Sequence, residues 1–281
     1  MNPTIVNPIS VINPILIKLN DYVPISSDII RECMIFVRAN IDCHFEITEY
    51  EHNVLVQYSE MKGVNYSVLL GLRSTAVVHQ YMTWNNKPNN IIAVFRSSLR
   101  SHNLNIINFI AYNFYKDVGW NPNIVYKTIK KTPEYLNAPK NIQDDLSNVI
   151  KSIKEKDERI SQYALRFEDK LRKYFNELGI DFRSEKELRD AGAKVTLDIV
   201  FDESIFIQID DKIMEINWLD AKNYMCIGKR SFLFKGLKKQ AKRFNDAYGE
   251  GGFVFAQGYV SNVNIVDTWL FSADSFNIVT E

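Results

Sequence analysis

Residues 194–222 constrain the fold more than any other part of the chain. Their sequence, KVTLDIVFDESIFIQIDDKIMEINWLDAK, alternates apolar and polar positions and is rich in Ile, Val and Phe. Such alternation is typical of strands that bury one face. We expect two or three strands here, with turns near Asp202–Ser204 and Asp210–Lys212.

Helices and further strands flank this segment. The stretch Tyr163–Leu178 has an amphipathic helical pattern, and residues 235–248 form a basic helix that is followed by a glycine. Residues 251–260 and 267–274 have strand patterns. The order helix, antiparallel strands, helix, strand predicts an α/β sandwich with a mixed central sheet.

The N-terminal half has a helical pattern over most of its length, although residues 44–58 fit either a strand or a helix. Its clearest unit is 104–131, in which a turn at Gly119 joins two short helices. This is the layout of a helix-turn-helix, and ordinary helical hairpins share it. If the unit binds DNA, the lysines of its second helix would contact phosphates: Lys127, Lys130 and Lys131.

The length of 281 residues fits one large domain or two ordinary ones. Residues 1–21 carry three Asn-Pro pairs and predict an extended, poorly ordered arm. Two prolines and the charged run KSIKEKDERI lie within 133–160, where a linker leads into a helix. We therefore predict a helical domain over 22–150 and a sheet-containing domain over 151–281.

Charge, cysteine content and hydropathy exclude several classes of protein. Lys+Arg and Asp+Glu number 34 each, so any nucleic-acid-binding surface must be local. Three scattered cysteines are too few for a disulfide framework or a four-ligand zinc site. The chain has no apolar run of about 18 residues, and prolines interrupt its apolar N-terminus, so we expect neither a membrane span nor a signal peptide. We expect an intracellular protein, in the nucleus or the cytoplasm.

Several catalytic chemistries are also excluded. All four histidines lie at or before His102, so a Ser-His-Asp or Cys-His site cannot be built within the C-terminal part. Neither GxGxxG nor GxxxxGK[ST] occurs, so dinucleotide and P-loop chemistry are not indicated.

Carboxylates and a lysine remain as candidates for chemistry. Asp198 lies in the first predicted strand, and Asp220 and Lys222 close a later strand. Residues two apart share one face of a strand, so Asp220 and Lys222 point the same way. Two carboxylates supply the oxygen ligands that Mg²⁺ prefers. A salt bridge at the end of a surface strand has the same residue pattern.

Three segments resemble a known family: ELRDAGAKVTLDIVF, INWLDAKNY and KKQAKRFNDAYGEGGFVFAQGYV. They resemble the C-terminal domain of the TPD-type nucleases, a branch of the PD-(D/E)xK restriction-endonuclease-like superfamily that includes the codanin-interacting nuclease. The resemblance spans roughly residues 105–281 and is strongest over 168–260.

The family's Thr-Pro-Asp motif is matched by Thr196-Leu197-Asp198, and its Glu-Ser-Lys motif by Asp220-Ala221-Lys222. The acidic residue of the preceding helix falls on Glu168. The family's Gln-x-x-x-Tyr pair appears as Gln240 and Phe244, so a tyrosine hydroxyl is missing here.

The resemblance implies an endonuclease that uses Mg²⁺ or Mn²⁺ to hydrolyse nucleic-acid phosphodiesters. In this interpretation Glu168, Asp198 and Asp220 hold the metal, Lys222 orients the attacking water, and Gln240 assists. DNA, including branched or structured DNA, is the expected substrate, and a protein partner is implied. The alternative is a nucleic-acid-binding or protein-interaction module that has lost turnover on a nuclease fold.

The basic helix provides the local positive charge that a phosphodiester backbone requires. A solvated helix face would have the same composition. The residues that we expect to contact nucleic acid here are Lys235, Lys238, Lys239, Lys242 and Arg243.

Overall fold

The computed structural model describes residues 14–40, 47–82, 129–231 and 233–279. A helical N-terminal region precedes a domain built on a six-stranded mixed sheet, which confirms the predicted fold class. The predicted helix-turn-helix at 104–131 lies outside the described residues except for its last three positions. None of the described helices combines the length and the apolar character of a membrane span.

Three helices form the described N-terminal region: α1 (Ser27–Asn40), α2 (Glu49–Lys62) and α3 (Tyr66–Met82). Thr48 caps α2 in a capping box with Glu51, in which each side chain bonds the other residue's backbone N–H. The apolar pattern of 44–58 fits either a strand or a helix, and this capping box favours the helix. A short helix, α4 (Pro133–Leu136), precedes the next long element.

Helix α5 (Lys140–Glu177) contains 38 residues and ends before Gly179, which has a φ of 67°. It includes the predicted amphipathic stretch and runs without a break through position 150, where we placed the domain boundary. The division into domains remains a prediction.

The sheet contains β1 (Leu16–Lys18), β2 (Phe182–Ser184), β3 (Ile199–Ile209), β4 (Lys212–Lys222), β5 (Gly251–Phe255) and β6 (Thr268–Ser272). Its order is β1-β3-β4-β5-β6, and β2 pairs with the first residues of β3. The β3–β4 and β2–β3 pairs are antiparallel, and the others are parallel. Helix α6 (Glu185–Asp190) follows β2, and α7 (Phe234–Tyr248) joins β4 to β5.

The structure corrects two predictions, one about a turn within the strands and one about the N-terminal arm. The turn at 210–212 is present, but 202–204 lies inside β3, where a β-bulge shifts the register between Val200 and Ile205. The predicted arm, 1–21, is described from residue 14, and its β1 is not loose, because it pairs in parallel with β3. Farther on, Ile25 forms a bridge with Val260.

Helices cover both faces of the sheet. Apolar residues of α5, including Leu171 and Phe175, pack with Ile199 and Leu219 on one face. On the other face, Leu237, Ala241 and Phe244 of α7 pack with Trp218 and Phe253. The three N-terminal helices form a further core that includes Met225, Ile227 and Val260 of the sheet domain.

Candidate active site

The site begins where β3 separates from β4. Their described pairing ends at Ile199 opposite Leu219, while β4 continues for three more residues beside β5. The same register places Asp198 opposite Asp220. Asp198 Oδ2 accepts a hydrogen bond of 2.7 Å from the backbone N–H of Ala221. The Asp198 side chain thus bonds β4 just beyond Leu219, the last residue of β4 that pairs with β3.

Burial sets the electrostatics of the two aspartates. Asp198 is 8% exposed and Asp220 is 6% exposed. Burial raises the pKa of Asp198 to about 8, and the nearby carboxylates of Asp220 and Glu168 act in the same direction. Burial also raises the pKa of Asp220, against the opposing effect of the Lys222 ammonium. Negative charge at this point is therefore unfavourable until a cation neutralises it.

Lys222 supplies part of that neutralisation. Its Nζ forms an ion pair with Asp220 Oδ2, as their shared face of β4 predicts. The ammonium lies 5.3 Å from the centroid of the Phe253 ring, and the side chain is 15% exposed. Asp220 Oδ2 is itself buried and accepts no hydrogen bond of ordinary geometry from the described residues. The partner of this oxygen is the Lys222 ammonium.

Glu168 approaches from α5. Burial raises the pKa of its carboxyl, Arg172 opposes that shift from 3.7 Å, and the charges of Asp220 and Glu185 add to it. Glu168 therefore belongs to the same acidic region as the two aspartates. Within the described ranges, however, no three His, Cys, Asp or Glu side chains lie close enough together to hold a metal ion. The three-carboxylate ligand set remains a prediction.

Glu185, in the first turn of α6, is an acidic neighbour that sequence reasoning missed. Its charge raises the pKa of both Asp220 and Glu168. Glu185 Oε1 accepts hydrogen bonds from Arg189 Nη2 at 2.7 Å and from the Thr196 hydroxyl at 3.3 Å. Ser184 and Glu187 form a capping box in the structure, and their spacing predicts a helix start but does not place that start beside Asp220.

Helix α7 packs over this side of the sheet. Gln240 is half-buried beside the core residue Ala241, and in the described part of the chain no hydrogen bond joins it to either aspartate. Phe244 is buried, with its ring centroid 5.2 Å from that of Trp218. The position where the resembling family carries a tyrosine is thus filled by a core side chain.

All five predicted cations of α7 are exposed: Lys235, Lys238, Lys239, Lys242 and Arg243. Lys242 pairs with Asp246 at 3.0 Å. Arg243 lies over the Phe244 ring, at 5.3 Å from its centroid. Lys130 is exposed as well, while Lys127 lies outside the described residues. Contact of these cations with nucleic acid remains a prediction.

A family model described as "Protein of unknown function TPD sequence-motif" matches residues 127–275, which is more than half of the chain. The chain belongs to this TPD family. The matched region includes α5 from its first residue, the aspartate pair, Lys222 and all of α7.

A mimivirus protein matches nearly the whole chain. Uncharacterized protein L539 of Acanthamoeba polyphaga mimivirus is 29% identical over 263 residues, which cover 92% of this chain and 95% of the relative. No solved structure matches the chain. The similarity to the viral protein therefore includes the N-terminal helical region as well as the TPD region.

Proposed function

We propose that this TPD-family protein is a metal-dependent endonuclease that hydrolyses phosphodiester bonds in DNA. The observation that supports this most strongly is the buried pair Asp198 and Asp220, with Lys222 on the second aspartate. These residues also match the catalytic positions of the PD-(D/E)xK nucleases, which the sequence resembles. Buried carboxylates with raised pKa values cluster at functional sites more often than elsewhere.

The donor set fits a hard divalent cation. Asp198 and Asp220 present buried carboxylate oxygens, of which Asp220 Oδ2 also pairs with the Lys222 ammonium. Mg²⁺ and Mn²⁺ prefer such oxygens and leave the remaining positions to water and phosphate. In this proposal Asp198 and Asp220 hold the cation, and Glu168 is the candidate for a third carboxylate.

The protein's own groups have separate tasks in this mechanism. A bound cation would lower the pKa of a water molecule and offset charge on the phosphate. The Ala221 N–H fixes the orientation of the Asp198 carboxylate through their 2.7 Å hydrogen bond. Lys222, already held at Asp220, orients the attacking water and stabilises negative charge that develops on the phosphate. Gln240 assists from α7 as a neutral polar group.

The substrate assignment depends on local charge and on resemblance. The chain carries no net charge. Helix α7, however, carries five exposed cations and packs over the sheet face on which Asp220 and Lys222 lie. A polyanionic strand would be attracted to this part of the molecule. The resembling nucleases suggest DNA, branched DNA among its forms, and a protein partner.

A cleavage assay tests the proposal. The full chain is incubated with labelled single-stranded, duplex and branched DNA in Mg²⁺, Mn²⁺ or EDTA. We expect cleavage of at least one substrate with metal, none in EDTA, and none from Asp198→Asn or Asp220→Asn. Asp211→Asn is the matched control, because Asp211 is exposed in the turn at the other end of β4. Equal cleavage by Asp198→Asn and Asp211→Asn would contradict the assignment.

A binding module without turnover is the second candidate. Lys222 already neutralises Asp220, and Phe244 replaces the polar family residue with a core ring. Within the part of the chain that the structure describes, no third carboxylate joins the two aspartates closely enough to share a metal ion. This candidate predicts metal-independent DNA binding with no cleavage in Mg²⁺ or Mn²⁺. The same assay, read beside a binding measurement, separates the two candidates.

A further inference from the structure

A cavity of about 490 Å³ lies at the start of α7. One wall is formed by Lys229 in the turn after β4, and another by Phe234 and Lys238 of α7. Asn262 and Asn264, in the loop between β5 and β6, close the third side. The lining thus combines two cations and two amides with apolar side chains, and it includes no carboxylate.

The topology places this cavity near the candidate active site. Strands β4 and β5 are parallel, and α7 connects them. The helix must therefore begin at the end of the sheet where β4 finishes, and that is the end that carries Asp220 and Lys222. In α/β sheets, ligands bind outside the carboxyl ends of the strands.

The charges of the cavity are not neutralised locally. Among the described residues, no salt bridge involves Lys229 or Lys238, and both are exposed. Lys238 Nζ lies 4.9 Å from the centroid of the Phe234 ring, so its ammonium is positioned by the cavity wall. One turn farther along α7, Lys242 has Asp246 as a counter-ion. The two cations that line the cavity are therefore available to an anionic ligand.

The turn at Gly228 and the loop at Val263 pack closely together and so form two walls of the cavity. Gly228 has a φ of 62°, and a Cβ at this position would lie 2.9 Å from Val263 Cγ2. The turn that carries Lys229 therefore packs directly against the loop that carries Asn262 and Asn264. A side chain at 228 would push these two walls apart.

We propose that this cavity binds a phosphodiester group of the substrate strand, next to the bond that is cut. Ammonium and amide N–H groups are donors, and phosphate oxygens are acceptors, so the lining is complementary to a phosphate. Such a contact positions the strand over Asp198 and Asp220 and carries no information about base sequence. This inference rests on the proposed nuclease function for the identity of the strand.

The test compares two double variants of the full chain. Lys229→Gln/Lys238→Gln removes the cations of the cavity. Lys18→Gln/Lys212→Gln removes the same charge near the start of β4, where both lysines are exposed. Binding of fluorescein-labelled DNA is measured by anisotropy in EDTA across a salt series, and cleavage is measured with Mg²⁺. Inorganic phosphate is titrated separately at constant ionic strength, with the melting temperature as readout.

We expect the cavity variant alone to bind all DNA sequences more weakly. The slope of log K against log salt should fall by about one, as expected when one phosphate contact is lost. Equal affinity and equal salt slope in wild type and the cavity variant would overturn the inference about the cavity. If the wild type nevertheless cleaves DNA, the proposed nuclease function remains intact. Weaker binding without cleavage by wild type would support the cavity and reject the nuclease. A wild type that binds no DNA would overturn both. If phosphate stabilises only the wild type and DNA affinity is unchanged, the cavity is a free-phosphate site, and its assignment to a strand is wrong.

Discussion

The backbone N–H of Ala221 donates a hydrogen bond to Asp198 Oδ2 at the position where β3 stops pairing with β4. A carboxylate thus replaces the strand partner that this N–H would have in a longer ladder. The bond fixes Asp198 opposite Asp220, although the two charges repel each other. The hydrogen bond at the end of the β3–β4 pairing therefore also orients one of the two acids.

The raised pKa of Asp198 predicts a pH-dependent stability in metal-free protein. Its carboxyl has a pKa of about 8 in the folded chain and an ordinary value of 3.8. Between these values the folded state holds a proton that the unfolded chain has released, so the free energy of unfolding should fall as pH rises from 4 to 8. Asp198→Asn should remove much of this dependence and stabilise the protein at the upper end by a few kcal/mol, since one pKa unit corresponds to about 1.4 kcal/mol. Calorimetry in EDTA measures this. Parallel pH profiles of wild type and variant would contradict the prediction.

Metal binding should offset the loss of stability that the ionised Asp198 causes in metal-free protein. A cation held by Asp198 and Asp220 stabilises the native state by mass action, about 2.7 kcal/mol at a concentration of one hundred times Kd. The effect should grow with pH, because the cation competes with protons for the carboxylates. Melting temperatures with and without Mg²⁺ provide the measurement. Asp198→Asn and Asp220→Asn should lose the increase, and Asp211→Asn should retain it. An increase that persists in both aspartate variants would place the cation elsewhere.

Lys222→Ala should separate metal binding from turnover. The variant keeps both aspartates, so its melting temperature should still rise with Mg²⁺, while cleavage falls below detection. Without the metal it should be less stable at neutral pH, because Asp220 loses the ammonium that offsets its buried charge. Lys173→Ala is the control, since Lys173 is exposed on α5 and pairs with the exposed Glu177 at 3.6 Å. Cleavage by Lys222→Ala at the rate of Lys173→Ala would exclude a catalytic role.

Gly251→Ala should destabilise the sheet. A Cβ at Gly251 would lie 2.4 Å from the ring of Trp218, which is fully buried beneath α7. We expect a loss of about 1–3 kcal/mol, the usual cost of overpacking. Gly236→Ala is the matched control, because no atom lies within 4 Å of its added Cβ on α7. That change should be neutral or stabilise by up to about 1 kcal/mol. Urea unfolding compares the two, and equal midpoints would contradict the prediction.

Local patterns predicted the elements that depend on local chemistry. The helix α7 was predicted from the basic stretch 235–248 and from Gly249 after it, and the turn at 210–212 was predicted between two strand patterns. The shared face of Asp220 and Lys222 followed from strand periodicity alone, and their ion pair agrees with it.

Features that depend on distant partners were not predictable in this way. Strand β1 has three residues and exists because β3 accepts it as a parallel neighbour. The bulge near 202–204 resembles a turn in sequence, and only the register of β4 shows that the strand continues. Glu185 is near in space to Asp220 through the packing of α6, which no spacing in the chain encodes.

The parallel pairing of β1 has a consequence for how this protein can be divided. Ile15 accepts a hydrogen bond of 2.8 Å from the Phe206 N–H, and the Leu19 N–H donates one of 3.0 Å to Gln208. A fragment that begins at residue 151 would leave these β3 groups without their partners on an open sheet edge. Exposed edges of this kind pair with other chains. Such a fragment should self-associate through β3, and adding a peptide that spans residues 14–26 should return it to a monomer.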